Sequence, residues 1–193
     1  MLTTLSASPF VIDSIWQRTR TSAFVQISAL TTLTILSAQI IVPLPFTPIP
    51  FTMQTFAILF GAAALGPTKS FIAQFAYLSL AALGFPILAG GKGGFQAIFG
   101  ATAGYLIAFL VASVVVGKLA TKITTKRFQG VLFGYLIGTL IIYVLGATWL
   151  AIYTEKGISY AITSGVLPFV IGDIIKAALA ASLLPISWRL VNK

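Results

Sequence analysis

The sequence predicts an all-α polytopic membrane protein, a compact bundle of six transmembrane helices with ordered outer loops. Two observations support this fold class: hydrophobic residues make up 58% of the chain, and charged residues only 8%. Soluble domains carry about 25% charged residues, so we expect this chain in a lipid bilayer. Apolar stretches follow one another almost from end to end and leave no polar segment long enough for a second folded unit. We therefore predict one membrane domain over residues 1–193.

Six apolar stretches approach the length of about 20 residues that a spanning helix needs. The predicted spans are residues 22–42, 51–65, 70–85, 95–117, 129–153 and 167–191. Because the second and third spans are short and only the sequence GPTK separates them, we expect a tight helical pair that leans or does not fully cross. Residues 1–21 are predicted to be a cytoplasmic tail, because their basic residues follow the mildly apolar stretch, unlike those of a signal peptide.

The basic residues sort to one end of the six predicted spans. Nine of the twelve lie at the end that carries both termini: Arg18, Arg20, Lys69, Lys118, Lys122, Lys126, Arg127, Arg189 and Lys193. Only Lys92 and Lys156 lie at the other end. This asymmetry predicts that the N- and C-termini are cytoplasmic. Topology thus explains the net charge of +9, and nucleic acid is not an expected partner, since no DNA-reading motif accompanies these residues.

The residue types that most enzymes and metal sites use are scarce. The chain has no cysteine and no histidine, and its acidic residues are Asp13, Glu155 and Asp173. Such a set does not form the carboxylate cluster that lipid phosphotransferases use to hold Mg²⁺. The sequence GGKGG around Lys92 also fails the phosphate-loop pattern, because Pro86 and Gly93 replace residues that the pattern requires. We therefore expect neither catalysis nor a cofactor, although a lipid-modifying membrane enzyme and a ligand-free assembly subunit stay open as alternatives.

Asp173 and Lys176 stand three residues apart inside the sixth predicted span, on one face of the helix. An ionisable residue at this depth is costly unless it is paired or hydrated, which makes it a candidate for a functional site. The alternative is a structural ion pair, but apolar residues can often replace such a pair without loss of stability. A carboxylate accepts hydrogen bonds and an ammonium donates them. The pair therefore complements a neutral group with both N–H and C=O, such as a urea or an amide.

Two loops on the predicted outer side are expected to close over this pair. The proline loop, residues 42–55, contains PLPFTPIPF, whose prolines stiffen an extended, non-helical segment. The glycine loop, residues 84–96, contains AGGKGG, where backbone can approach a ligand closely. It leads towards a tyrosine that offers both a ring and a hydroxyl. The predicted pocket residues on these loops and beside them are Phe46, Phe51, Gly90, Lys92, Gly94, Phe95, Gly104 and Tyr105.

The stretches PLPFTPIPFTMQ, GFPILAGGKGG followed by FGATAGYLIAF, and GDIIK resemble, in order and spacing, the motifs of the BioY family. That family comprises the biotin-specific substrate-binding components of energy-coupling factor transporters. The resemblance implies a six-helix protein of a prokaryotic plasma membrane that captures biotin from outside. It also implies a transmembrane coupling protein, the T component, and two cytoplasmic ABC-type ATPases as partners. In the family the aspartate and lysine of the last motif contact the vitamin, which implies this role for Asp173 and Lys176.

Residues and resemblance together predict how biotin is held. Its ureido ring is expected to bind Asp173 and Lys176. Its fused ring and valeryl chain are expected to lie on the apolar walls formed by Phe46, Phe51, Phe95 and Tyr105. The carboxylate is expected near the outer loops, where Lys92 or glycine amides can meet it. Lys176 stays open as an alternative partner for that carboxylate.

Overall fold

Helices that largely follow the apolar stretches build the fold. The computed structural model describes residues 10–15, 20–122 and 127–191. The elements are α1 (Val11–Ile15), α2 (Arg20–Gln39), β1 (Ile41–Val42), β2 (Phe51–Thr52), α3 (Gln54–Leu65), α4 (Pro67–Ala82), α5 (Phe95–Ile98), α6 (Ala103–Lys122), α7 (Phe128–Thr154), α8 (Gly157–Gly165) and α9 (Leu167–Val191). The all-α class is confirmed. Among the basic residues used to predict orientation, Arg18, Lys126 and Lys193 lie outside the described residues.

Four helices of the described chain are long and apolar enough to cross a membrane. They are Thr21–Gln39, Ala103–Lys122, Phe128–Thr154 and Leu167–Arg189. Helices α3 and α4 have 12 and 16 residues, and at a rise of about 1.5 Å per residue they are about 18 and 24 Å long. The hydrocarbon core of a bilayer is about 30 Å thick. The count of six crossings therefore stays a prediction.

The α3–α4 connection forms the tight helical pair expected from the sequence. Gly66 alone separates the two helices, and its φ of 85° lies in the left-handed region that favours glycine. Pro67 follows at the first position of α4, where its fixed φ suits a helix and its missing N–H costs nothing. The turn is also packed closely, since a Cβ on Gly117 of α6 would come within 2.5 Å of the Pro67 nitrogen.

The proline loop interrupts the predicted spans where the sequence places its prolines. Ile41 pairs with Thr52 and Val42 with Phe51 in a two-stranded antiparallel sheet. The predictions that the first span reaches residue 42 and that the second begins at residue 51 were therefore wrong by a few residues. The pairing stops after two residues on each strand, because Pro43 and Pro50 have no N–H to donate to a ladder.

The fourth predicted span, 95–117, was wrong as a single helix. The structure divides it into the short helix α5 and the long helix α6, with residues 99–102 between them. The carbonyl of Gly100 accepts a hydrogen bond of 2.9 Å from the indole of Trp149 on α7. Helix α8, between the fifth and sixth spans, was not predicted.

Helix α3 occupies the centre of the bundle, where it packs against α2, α4, α6, α7 and α9. Its short length is compatible with this position, because neighbouring helices cover most of its surface; Ala57, Ile58 and Ala62 are fully buried. Glycine allows the close approach of α7, since a Cβ on Gly138 would come within 2.5 Å of the Leu59 side chain. A small residue at this position therefore serves packing inside the bundle.

Part of the predicted N-terminal tail is folded against the bundle. Helix α1 packs against α3 and α9. The ring of Phe10 lies against Gly66 of the α3–α4 turn, and the Asp13 carboxylate pairs with the Lys69 ammonium at 2.9 Å. Both contacts lie near the C-terminal end of α3. Residues 10–15 are therefore a structural part of the domain.

Candidate ligand-binding site

A cavity lies at the end of the bundle where α3 begins, beneath the proline and glycine loops. It encloses about 810 Å³ of empty space, part of it open to solvent. Most of its walls are apolar and come from both loops and from α5, α6, α7 and α9. The apolar lining residues are Pro48, Ile49, Pro50, Phe51, Leu88, Ala89, Ala97, Leu106, Phe109, Ile142 and Phe169.

The charged pair predicted from the sixth span lines this cavity. Asp173 and Lys176 lie on α9, are only 5% and 3% exposed, and pair through Oδ1 and Nζ at 2.8 Å. The prediction that the two side chains share one helical face is confirmed. They are paired with each other and both also line the cavity.

Every N–H of the Lys176 ammonium has a protein partner. The Nζ atom donates to the carbonyl of Thr52 at 2.7 Å, to the hydroxyl of Thr55 at 2.9 Å and to Oδ1 of Asp173 at 2.8 Å. An ammonium has three donors and no acceptor. The ring of Phe51 also lies 4.0 Å from Nζ, a distance that favours a cation–π interaction. In this arrangement Lys176 has no N–H left to donate to a ligand.

The Asp173 carboxylate, by contrast, keeps accepting capacity on one oxygen. Oδ1 accepts from Lys176 and from the Thr55 hydroxyl at 3.1 Å. Oδ2 accepts from the Tyr143 hydroxyl at 2.6 Å. A carboxylate offers about four lone-pair positions, so Oδ2 can accept one further bond. A ligand N–H in the cavity is a suitable donor for that position.

Sequence reasoning missed Thr55 and Tyr143. The hydroxyl of Thr55 bridges the charged pair, because it donates to the aspartate and accepts from the lysine. Tyr143 belongs to α7 and fixes the second carboxylate oxygen. Tyr143 carries a lone hydroxyl in an apolar stretch, and Thr55 follows the polar residues Thr52 and Gln54, so each residue is a weak signal. Their partner lies 118 and 30 residues away along the chain, and no spacing rule connects such positions.

Three of the predicted pocket residues outside the charged pair do line the cavity: Phe51, Lys92 and Tyr105. Phe51 stacks on Phe169 with the ring centroids 6.0 Å apart. Lys92 is exposed and lies in the glycine loop, where its ammonium can meet an anionic group. The Tyr105 hydroxyl donates to the Gly165 carbonyl at 2.8 Å, so this residue also joins α6 to the end of α8.

The two other predicted aromatic residues do not line the cavity. Phe46 and Phe95 are 63% and 68% exposed. Phe46 lies in the proline loop between its prolines. Phe95 is the first residue of α5, and its ring stacks on the ring of Phe99. Roles for Phe46 and Phe95 in ligand contact are therefore not supported by this geometry.

The predicted glycines serve backbone geometry and packing and do not line the cavity. Gly90 has a φ of 75° within a tight turn that Leu88 and Lys92 close by a bridge. Gly94 has a φ of 87° and donates its N–H to the Ala81 carbonyl at 2.7 Å. Gly104 faces α7, where a Cβ would overlap the side chain of Trp149. In the described structure these glycines therefore serve turns and helix packing.

Side chains tie both loops to the bundle. In the proline loop, the Thr47 hydroxyl donates to the Ser164 carbonyl at the end of α8 at 2.6 Å. In the glycine loop, the carbonyls of Ile87 and Leu88 accept from the Gln39 amide of α2, each at 3.2 Å. The cavity mouth is thus formed by segments that hydrogen bonds anchor to the bundle.

Comparison with known proteins gives one consistent result. The model of the BioY family matches residues 10–193. The probable biotin transporter BioY of Bacillus subtilis is 37% identical over 141 residues, which cover 72% of this chain and 75% of that protein. The probable biotin transporter BioY of Pyrococcus horikoshii is 38% identical over 148 residues, covering 77% and 85%. The crystal structure of the S-component for biotin from an ECF-type ABC transporter matches with a TM-score of 0.82 at 28% identity, covering 92% and 95% of the two chains.

Proposed function

Because the chain belongs to the BioY family, we propose that it captures biotin for uptake as the substrate-binding subunit of an ATP-coupled vitamin transporter. One observation carries the proposal: a buried carboxylate with an open acceptor position on the wall of an otherwise largely apolar cavity. Biotin combines a ureido ring with an apolar body and suits both features. The family and the matched fold are those of transporters and not of enzymes, so a lipid-modifying enzyme and a ligand-free assembly subunit are not favoured.

The hydrogen bonds of the pair indicate how the ureido ring binds. A ureido N–H donates to Oδ2 of Asp173, beside the bond from Tyr143. Lys176 acts through Asp173, because its donors are occupied and its charge keeps the pair neutral. A neutral ring therefore meets no net charge at this end of the cavity, whereas a second carboxylate would be repelled by Asp173.

The same geometry favours one of the two partners considered for the biotin carboxylate. Lys176 has its three donors in use, whereas Lys92 is exposed at the cavity mouth. We therefore place the carboxylate near Lys92 and the ureido ring at Asp173. The fused ring and valeryl chain then lie between Phe51, Phe109 and Phe169, where burial of apolar surface contributes about 25 cal/mol per Å².

We further propose the predicted topology of six crossings, with α3 and α4 as two short ones and with both termini in the cytoplasm. Described basic residues at helix ends away from the cavity support this orientation: Lys69, Lys118, Lys122, Arg127 and Arg189. Lys92 and Lys156 lie at the cavity end, and the bias of basic residues is towards the cytoplasm. The cavity then opens to the outside of a prokaryotic inner membrane.

We also propose that transport depends on a T component and two cytoplasmic ABC-type ATPases. The matched crystal structure is that of an S-component from an ECF-type ABC transporter, which supports partners of this kind. The sequence around Lys92 lacks the phosphate-loop pattern, so ATP hydrolysis is assigned to those partners and capture of the vitamin to this chain.

Calorimetry on detergent-purified protein tests the proposed function. Biotin is expected to bind with a measurable heat. Lipoate carries the same valeryl carboxylate but has a dithiolane ring in place of the ureido ring, and it is expected to compete poorly. Equal binding of lipoate would contradict the assignment of the ureido ring to Asp173. The absence of any heat with biotin, together with the absence of copurified vitamin, would overturn the proposed function as a whole.

A further inference from the structure

Gly172 precedes the ligand-binding aspartate and lies in the interior of α9, where glycine is unfavourable relative to alanine. Packing explains its presence. A Cβ built on Gly172 would overlap the ring of Phe51, and the Phe51 Cε2 atom would be 2.5 Å away. The proline loop therefore rests on the helix backbone at a position where any larger residue displaces the ring.

The ring of Phe51 contacts one continuous face of α9. It stacks on Phe169 with an interplanar angle of 13°, covers Gly172 and lies 4.0 Å from the Lys176 ammonium. These three α9 positions are spaced by three and four residues, which places them along one side of a helix. The side chain of Phe51 thus packs the proline loop against α9, the helix that contains the charged pair.

The backbone next to Phe51 joins this contact to the ligand-binding groups. The carbonyl of Thr52 accepts from Lys176 at 2.7 Å, and the hydroxyl of Thr55, three residues further on, bridges Lys176 and Asp173. If the ring is lifted from α9, the Thr52 carbonyl moves with it. Lys176 then loses a partner, and the carboxylate loses its fixed position.

We propose that Gly172 is a positioning residue for ligand retention: its missing side chain lets Phe51 hold the proline loop closed over Asp173 and Lys176. This inference rests on the proposed function for its ligand, biotin. It assigns Gly172 no contact with the vitamin. It predicts that a substitution of Gly172 acts through Phe51 and mainly raises the dissociation rate of biotin.

The first test measures biotin dissociation from the purified full-length protein. Gly172→Ala is expected to speed dissociation by about tenfold, because overpacking forces the ring to move. Phe51→Leu is expected to speed it by a smaller factor of about three. The double variant is expected to match Phe51→Leu, since removal of the ring gives the new methyl group space and the effects of contacting residues do not add. Equal dissociation from Gly172→Ala and wild type, or effects that multiply in the double variant, would overturn the inference.

Gly138→Ala is the matched control. It is also a glycine-to-alanine change inside a long helix, and its Cβ meets the side chains of Leu59 and Val116, which do not line the cavity. Both single variants are compared with wild type by thermal unfolding without biotin. A general packing defect would lower the melting temperature and speed dissociation in both variants alike, which would contradict a specific role for Gly172.

A second measurement reports the loop without a ligand. The sequence contains no cysteine, so Phe46→Cys and Ile158→Cys introduce a unique pair of spin labels on the proline loop and on α8. Gly172→Ala is expected to lengthen or broaden the distance between the labels, and Gly138→Ala is not. An unchanged distribution would overturn the inference even if wild type binds biotin. A changed distribution with no binding of biotin by wild type would instead overturn the proposed function and leave the loop mechanism supported.

Discussion

Two buried ion pairs in the described part of the chain have similar chemistry and different surroundings. Asp173 pairs with Lys176 at 2.8 Å within one turn of α9, beside the cavity. Asp13 pairs with Lys69 at 2.9 Å and connects α1 to α4 across 56 residues of sequence. Neither Asp13 nor Lys69 lines the cavity, and the Lys69 side chain is 21% exposed. One pair lines the cavity, whereas the other fastens an N-terminal helix to the α3–α4 turn.

The difference teaches that burial of a charge does not identify a binding site by itself. Both carboxylates are almost inaccessible, so both would attract attention in a search for costly charges. What separates them is the cavity, which Asp173 lines and Asp13 does not. Oδ2 of Asp173 has one partner from Tyr143 and a cavity beside it. Changing matched residues in the two pairs tests this distinction.

The largest effect is expected for Asp173→Asn. Neutralising the carboxylate leaves the Lys176 charge buried without compensation, which costs about 3–5 kcal/mol for a buried pair, and it removes the acceptor for the ureido ring. Affinity for biotin should fall by more than about 100-fold, since about 1.4 kcal/mol corresponds to a factor of ten. Calorimetry with Asp13→Asn as the matched control measures the difference. Similar losses in the two variants would show that the pairs do not differ in function.

Asp13→Asn should instead lower stability. Removing the partner of Lys69 is expected to cost about 2 kcal/mol, less than for a fully buried pair, because the partly exposed ammonium can be hydrated. Thermal unfolding in detergent of Asp13→Asn, Lys69→Met and the double variant checks this loss in the free energy of unfolding. Biotin affinity should remain within about twofold of wild type. A larger loss of affinity would mean that α1 is coupled to the cavity.

Tyr143→Phe is expected to weaken biotin binding by about tenfold. The change keeps the ring and removes one hydrogen bond to a charged group, worth about 1.5–3 kcal/mol. The lower end applies, because water in the cavity can replace the hydroxyl. Tyr153→Phe, an exposed position on the same helix, is the control for calorimetry. If both variants bind like wild type, Oδ2 of Asp173 does not depend on Tyr143 for its orientation.

The smallest effect is expected for Lys92→Gln. An exposed charge contributes about 0.2–1 kcal/mol, so the affinity for biotin should fall by about threefold at low salt and by less at high salt, where screening is stronger. Biotin methyl ester, which lacks the free carboxylate, should bind wild type and Lys92→Gln with equal affinity. Lys156→Gln, the other basic residue predicted at this end, serves as the control. If Lys92→Gln instead lost affinity for the methyl ester, and lost it equally at low and high salt, the biotin carboxylate would have to lie away from Lys92.

Much of the site could be predicted because its signals are local. Asp173 and Lys176 stand out as charges in an apolar span, and a spacing of three residues puts them on one face of any helix. Phe51, Lys92 and Tyr105 were found because they stand in or next to proline- and glycine-rich stretches. Phe46, Phe95 and Gly104 carried similar local signals and do not line the cavity. A loop sequence indicates that a segment is extended, but not which of its side chains turns inward.

The sequence by itself determined the helical membrane class, the non-helical proline loop and the charged pair, because each follows from composition, from the missing N–H of proline or from helical periodicity. Only the tertiary structure decided that Thr55 and Tyr143 complete the pair, that residues 99–102 break the fourth span, and that Gly172 receives the ring of Phe51. These features depend on contacts between elements distant along the chain. Such contacts form when α3, α7 and α9 pack together, and no local pattern records them.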